Sequence, residues 1–199
     1  MQTCYLLNRY AEGSGTDAKF AKVNDIKFLS ATTLICSDSK NHCLRLFNLT
    51  ESMAETSTYA GTCTTGGTTD GHRLRSALFH LQRFVEVNNY NSTMFVLDSS
   101  QSLRMIDFET DEVATVIQFS TYTNNILLSG SSLLYVTFNE KVAEFNLNSE
   151  EYNWIAGGSK VGKATGSFDL TKFDNARGLL LLSLEGKTLL LVADKGNNR

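Results

Sequence analysis

Apolar residues along this chain fall in short, strand-sized bursts. Thr32–Ser37, Thr93–Leu97, Leu133–Phe138 and Thr188–Ala193 are rich in Leu, Val, Ile, Phe and Tyr. Val113–Phe119 and Leu44–Leu49 alternate in part between apolar and polar positions. The longest apolar runs, Leu179–Leu182 and Leu189–Ala193, are also strand-sized, far below the roughly 18 residues that span a bilayer. Turn-forming residues stand between the bursts, and no long segment keeps a helical period. Short strands at regular spacing predict an all-β fold.

The bursts belong to a repeat. Ile35-Cys-Ser-Asp38-Ser-Lys-Asn41-His42-Cys43-Leu-Arg45, Val96-Leu-Asp98-Ser-Ser-Gln-Ser-Leu-Arg104 and Val192-Ala-Asp194-Lys-Gly-Asn197-Asn198-Arg199 each read as an apolar run, an Asp and a polar turn. Tyr135–Phe145 is a degenerate copy without the Asp. The anchors Leu44, Leu103 and Val142 are 59 and 39 residues apart. A second marker recurs between them. Ala18-Lys-Phe20 matches Ala77-Leu-Phe79 and Thr171-Lys-Phe173, while Tyr59-Ala-Gly61 matches Ile155-Ala-Gly157. A period of roughly 40–60 residues with about four strands per unit argues for a β-propeller blade over a sandwich.

The turn motif resembles the signature of NHL repeats, most clearly at Asp38–Arg45 and Asp194–Arg199. The resemblance covers nearly the whole chain. It implies four-stranded blades, about three and a half of them, from a six-bladed ring. The blade units are 1–62, 63–118, 119–157 and an incomplete 158–199. The copy at Asp98 lacks the Asn-His pair, and the proline that the family places after the Phe element is missing, since the chain has no proline. Asp and Asn in such a connection bond their own backbone and tolerate left-handed conformations, so Asp38, Asn41, His42, Asp98, Asp194, Asn197 and Asn198 read as turn formers. The chain stops inside the motif, which leads us to expect a piece of a longer protein with open strand edges.

Four cysteines are present. Cys43 and Cys63 flank a hairpin centred near Met53, almost opposite one another, and the resemblance to extracellular NHL proteins with an Asn-His-Cys and Ala-Gly-x-Cys pair implies a Cys43–Cys63 disulfide. Cys4 holds the place of Cys63 one blade earlier, and Cys36 reads as a buried hydrophobe. No C-x-x-C is present, which removes zinc-ribbon and thioredoxin-like readings. Asn48-Leu-Thr50 and Asn91-Ser-Thr93 are glycosylation sequons that agree with an extracellular setting. No secretory signal precedes Arg9.

Composition narrows the function. The net charge is −3. A dedicated nucleic-acid binder carries a basic excess to release phosphate counterions, and none is visible. The three histidines, His42, His72 and His80, form no metal-ligand spacing, and no nucleophile elbow or phosphate loop is found. No catalytic residue, metal or cofactor is therefore assigned. The expectation is a non-catalytic binding or scaffold module of a larger extracellular or membrane-anchored protein. It would engage a protein or glycan through the blade connections Gly61–Arg75 and Gly157–Ser167, with Arg73 and Arg75 as anchors, and would meet a membrane only through other domains. Two alternatives stand beside it: a propeller hydrolase or lyase whose site lies in other blades, and an intracellular NHL module binding RNA or protein.

Overall fold

The structure is a computed structural model. It describes residues 10–49, 53–75, 84–88, 92–98, 101–158, 160–167 and 170–199. The first sheet contains β1 (Gly13–Ser14), β2 (Val23–Ser30), β3 (Thr33–Asp38), β4 (Cys43–Asn48) and β5 (Glu55–Ala60), in the order β1-β5-β4-β3-β2. The second contains β6 (Gly71–His72), β7 (Phe84–Asn88), β8 (Thr93–Leu97), β9 (Ser102–Asp107) and β10 (Glu112–Gln118), in the order β6-β10-β9-β8-β7. The third is a plain meander of β11 (Thr123–Ser129), β12 (Leu133–Phe138), β13 (Val142–Asn146) and β14 (Glu151–Ala156). A ribbon of β15 (Ala176–Leu184) and β16 (Lys187–Asp194) follows, and a 3-10 turn over Lys195–Asn197 comes after it. Among the described residues no helix is long and apolar enough to cross a membrane.

Each of the first two sheets is an antiparallel meander of four strands with a two-residue strand added at its edge. Gly13–Ser14 forms that added strand in the first sheet. Gly13 pairs with Thr56 and Ser14 with Glu55, and the Gly15 N–H extends the pairing by donating to the Ala54 carbonyl.

The middle strands keep one register throughout. Cys36 stands opposite Arg45, Val96 opposite Arg104 and Val136 opposite Ala143. Two residues further along lie Asp38, Asp98 and Phe138, which therefore occupy one structural place. These strands are covered on both faces, which is why they read as continuous apolar runs rather than as clean alternation.

The chain divides into two compact units, the first running through the second sheet to Thr115 and the second taking up from Val116. In the first unit Ile35, Leu44 and Ala60 of one sheet pack against Met94, Val96, Ile106 and Val113 of the next, with Leu29, Tyr59, Val87 and Phe108 at the margin. In the second unit Val142, Phe173 and Ala176 form a core with Ala156, Leu179, Leu190 and Val192. Phe119 meets Phe138, Phe145 and Tyr152 edge-on in the same unit, a geometry that aromatic quadrupoles favour.

Candidate functional site

The turn between the two middle strands is the most repeated feature of the molecule. Asn41 donates its amide to Asp38 Oδ2 at 2.6 Å, and Asn197 does the same to Asp194 Oδ2 at 2.8 Å. The residue after each asparagine is left-handed, His42 at φ 59° and Asn198 at φ 54°. The second carboxylate oxygen points across the sheet. Asp38 Oδ1 accepts the backbone N–H groups of Ala21 and Lys22, and Asp194 Oδ1 accepts that of Asp174. These donors directly follow Phe20 and Phe173. The two sequence markers thus meet in space, and the aspartate joins them. In the second sheet Asp98 Oδ1 accepts the Ser102 N–H, with Gln101 at φ 70° supplying the left-handed turn.

Arginine completes the clamp. Arg45 lies 3.5 Å from Asp38 Oδ2 and Arg104 lies 3.6 Å from Asp98 Oδ2, all four side chains being wholly buried. Arg45 also donates to the Lys19 and Ala11 carbonyls at 3.3 and 2.9 Å. Those two residues form an isolated bridge. Arg199 repeats the arrangement in the last copy. It pairs with Asp194 at 2.9 Å and donates to the carbonyls of Ala164 and Lys172, which form the matching bridge. Each arginine therefore ties the loop before a sheet to the aspartate turn within it. Burial alone would raise the Asp194 carboxyl, but the Asp174 N–H, Asn197 and Arg199 outweigh it and hold that group below its ordinary value.

The third sheet dispenses with the charges. Phe138 and Ala143 take the places of aspartate and arginine, and the Phe138 ring fills the space by meeting Trp154 at 4.9 Å. An apolar pair of suitable volume can replace a buried ion pair without loss. The sequence reading placed the aspartates as local turn formers and left their arginine partners unassigned. The apolar–Arg–apolar strand that follows Asp38 and Asp98 is the signal that pointed to them.

Cys43 and Cys63 form a disulfide with Cα atoms 5.1 Å apart. Gly61 makes the close approach that this needs. At φ 89° it lies under the turn, where a β-carbon would stand 2.7 Å from the His42 carbonyl oxygen. Gly157 repeats that contact against Glu140 and Lys141 in the third sheet. Cys36 is free and buried. Desolvation, with Asp38 beside it, pushes its thiol up to about 12.

The disulfide begins a loop, Gly61–Arg75, that is held at both ends. Thr64 N–H donates to the Asn41 carbonyl at 2.7 Å and Gly61 N–H to the Arg73 carbonyl at 2.7 Å. Arg73 faces inward. It pairs with Asp111 at 2.6 Å, donates to the Tyr59 carbonyl at 2.6 Å and stacks over the Tyr59 ring at 4.7 Å. Burial raises the Tyr59 phenol, Arg73 opposing and Asp111 adding to the rise. Of the two anchors proposed from sequence, Arg73 thus serves the loop's own frame, and Arg75 is exposed next to Leu74, itself 44% exposed. On the second connection Val161 is 50% exposed.

Asn48 is exposed at the end of β4. It holds the place where Asp107 and Asn146 close their strands by accepting two following N–H groups each. Asn91, Cys4, His80 and the Ala77–Phe79 marker lie outside the described residues. Among the described residues no group of three His, Cys, Asp or Glu side chains is gathered to hold a metal ion. The buried carboxylates here are engaged by backbone N–H, asparagine and guanidinium groups. Such an arrangement stiffens the connections between sheets and presents their outer residues.

No protein-family model matches the chain, and no curated protein matches it in sequence. Solved structures do. An auxiliary nutrient binding protein from Bacteroides ovatus aligns with a TM-score of 0.68 at 11% identity, over 90% of this chain and 44% of its own. A chain of a nidogen/laminin complex aligns with a TM-score of 0.57 at 12% identity, over 82% of this chain and 56% of its own. The extracellular domain of a hybrid two-component system from B. thetaiotaomicron aligns with a TM-score of 0.56 at 16% identity, over 92% of this chain and 23% of its own. The chain therefore spans about half the length, or less, of the structures it is similar to. Taken with the sheets above, these likenesses give the fold class: an all-β propeller fold built from four-stranded antiparallel blades.

Proposed function

We propose that the chain is a non-catalytic NHL-type propeller module of an extracellular protein, binding a protein or glycan through the connection 61–75. The observation that carries the reading is the pinning of that loop. A disulfide fixes one end and the Arg73 clamp the other, and Leu74 and Arg75 stand out beside the clamp. A connection ordered in advance loses little entropy on binding, and an apolar side chain next to an arginine is a common anchor at protein interfaces. The disulfide favours an oxidising compartment, where the sequons at Asn48 and Asn91 could carry glycans. The Asp-x-x-Asn turn with its left-handed successor supports the NHL reading over other propeller repeats. The nidogen/laminin complex supports a protein as the ligand class, and the nutrient binding protein keeps a glycan or other small ligand in view.

The test is a binding screen of the secreted chain against extracellular proteins and glycans, repeated with Leu74→Ala and Arg75→Ala. The reading requires at least one ligand whose affinity falls about tenfold or more in these variants while thermal unfolding is unchanged, a typical cost for an interface anchor. Ligands indifferent to both substitutions would overturn the assignment of this loop.

A further inference from the structure

The outer strands of the first two sheets are each covered by a short strap, drawn from the connection that leads into the same sheet. Gly13 and Ser14 pair with Thr56 and Glu55 on β5, and Gly71 and His72 pair with Val113 and Glu112 on β10. An acidic residue precedes the glycine in both. Glu12 accepts the Thr58 N–H at 2.7 Å, and Asp70 accepts the Thr115 N–H at 3.1 Å. Thr58 lies two residues beyond Thr56, as Thr115 lies two beyond Val113. Both glycines, at φ 134° and 126°, hold a backbone conformation that a side chain disfavours. The strap is thus one repeated device, a carboxylate followed by a glycine that pairs with the outer strand.

The third sheet is built without one. Only residues 119–122 lead from β10 into β11, against residues 61–83 between β5 and β7. Four residues span about 14 Å at most. Crossing from β11 to β14 takes three strand spacings of about 4.8 Å each, and the chain would have to return. Among the described residues no strand pairs with the far edge of β14. Its residues hold the places that the straps cover elsewhere. Tyr152 stands opposite Phe145 as Thr56 stands opposite Phe47, and Trp154 stands opposite Ala143 as Thr58 stands opposite Arg45. Glu151, Tyr152 and Asn153 are exposed. Lys141 lies over the Trp154 ring at 4.5 Å, so a cation stands at the residue that a carboxylate would approach. An edge of this kind is a template for pairing with another chain.

We propose that the β14 edge binds an extended segment of a partner protein by strand addition, with an acidic residue on the Trp154 N–H and the glycine after it opposite Tyr152. The two straps define what fits, because they already fill the same places on β5 and β10. A further blade of this chain is not the source of the segment, since each strap serves the sheet that its own connection enters.

Trp154 is the chain's one tryptophan, so its fluorescence reads the site. The probe is a capped peptide copying residues 11–16, titrated into the full chain up to millimolar concentration while amide exchange is followed. The fluorescence change should saturate, and exchange at Tyr152 and Trp154 should slow about tenfold or more. The peptide carrying Glu12→Gln should bind about tenfold more weakly, as expected for loss of a charged hydrogen bond. In the chain, Lys141→Ala should weaken binding about threefold. The Tyr152 N–H points the same way as that of Trp154, two residues on, so Tyr152→Pro removes an edge donor and should abolish binding. Should that variant unfold, the exchange measurement on the unaltered chain decides alone. Absence of saturable binding, protection elsewhere than on β14, or indifference to Glu12→Gln would each overturn the proposal. So would slow exchange at Tyr152 and Trp154 without peptide: independent of concentration, it would place another part of this chain on the edge, and rising with concentration, a second copy. Leu74→Ala and Arg75→Ala should leave peptide binding unchanged, which separates this test from that of the 61–75 loop.

Discussion

Arg45 lies 3.5 Å from Asp38 with both side chains wholly buried, and the same places in the third sheet are held by Ala143 and Phe138. Removing one member of a buried pair leaves an uncompensated charge, at a cost of about 3–5 kcal/mol. Asp38→Ala and Arg45→Ala should each lower the unfolding free energy by that order, read from the fall in the urea midpoint. Asp38→Phe combined with Arg45→Ala copies the third sheet and should recover part of the loss. A double variant no better than the sum of the singles would show that the two residues are not coupled.

Gly61 and Gly157 predict a second contrast. At Gly61, φ is +89° and a β-carbon would stand 2.7 Å from the His42 carbonyl oxygen; at Gly130, φ is +66° with nothing within 4 Å. Gly130→Ala carries only the left-handed penalty of about 1 kcal/mol. Gly61→Ala and Gly157→Ala add a backbone collision and should cost several times more, read as the shift in thermal midpoint.

Acid should weaken the last blade's turn. Asp194 is held below its ordinary value of 3.8. A depressed carboxyl contributes stability that is complete above the ordinary value and disappears as pH falls through the folded value. Stability of the parent should therefore drop below about pH 4. Asp194→Asn should be weaker near neutral pH and show a flatter curve through that acid window in urea titrations. An unchanged slope would remove Asp194 from the account.

Thiol reactivity separates the cysteines. Cys36 is buried, and its thiol is pushed up to about 12, so little thiolate exists at pH 8 to react. Aromatic disulfide reagents should leave Cys36 untouched in the folded chain and label it on unfolding, while Cys43 and Cys63 should react only after reduction.

Much of this architecture was legible in the sequence, for identifiable reasons. β8 and β12 are apolar apart from Thr93 and Thr137, so their ends could be read directly. The aspartate turns could be found because Asp38, Asp98 and Asp194 recur at one offset from an apolar run. β2 and β11 escaped because polar residues such as Asp25, Lys27, Asn124 and Asn125 interrupt them, and a strand exposed on one face keeps few apolar positions. β1 and β6 are two residues long and exist only by pairing with β5 and β10. Arg73 looked like a surface anchor because its partner Asp111 lies far along the chain. Nothing local to Arg73 announces that contact, and the same holds for the reach of Arg45 to Ala11.

The measurement that bears most directly on a disulfide-pinned propeller loop is peptide mapping, without reduction, of the chain made in a secretory host. Cys43 and Cys63 enclose a loop of 20 residues, whose closure is worth about 3 kcal/mol. The account predicts one cross-linked peptide joining these residues, recovered in full, with Cys36 as a free thiol. Recovery of Cys43 and Cys63 as separate free thiols from folded protein would contradict it.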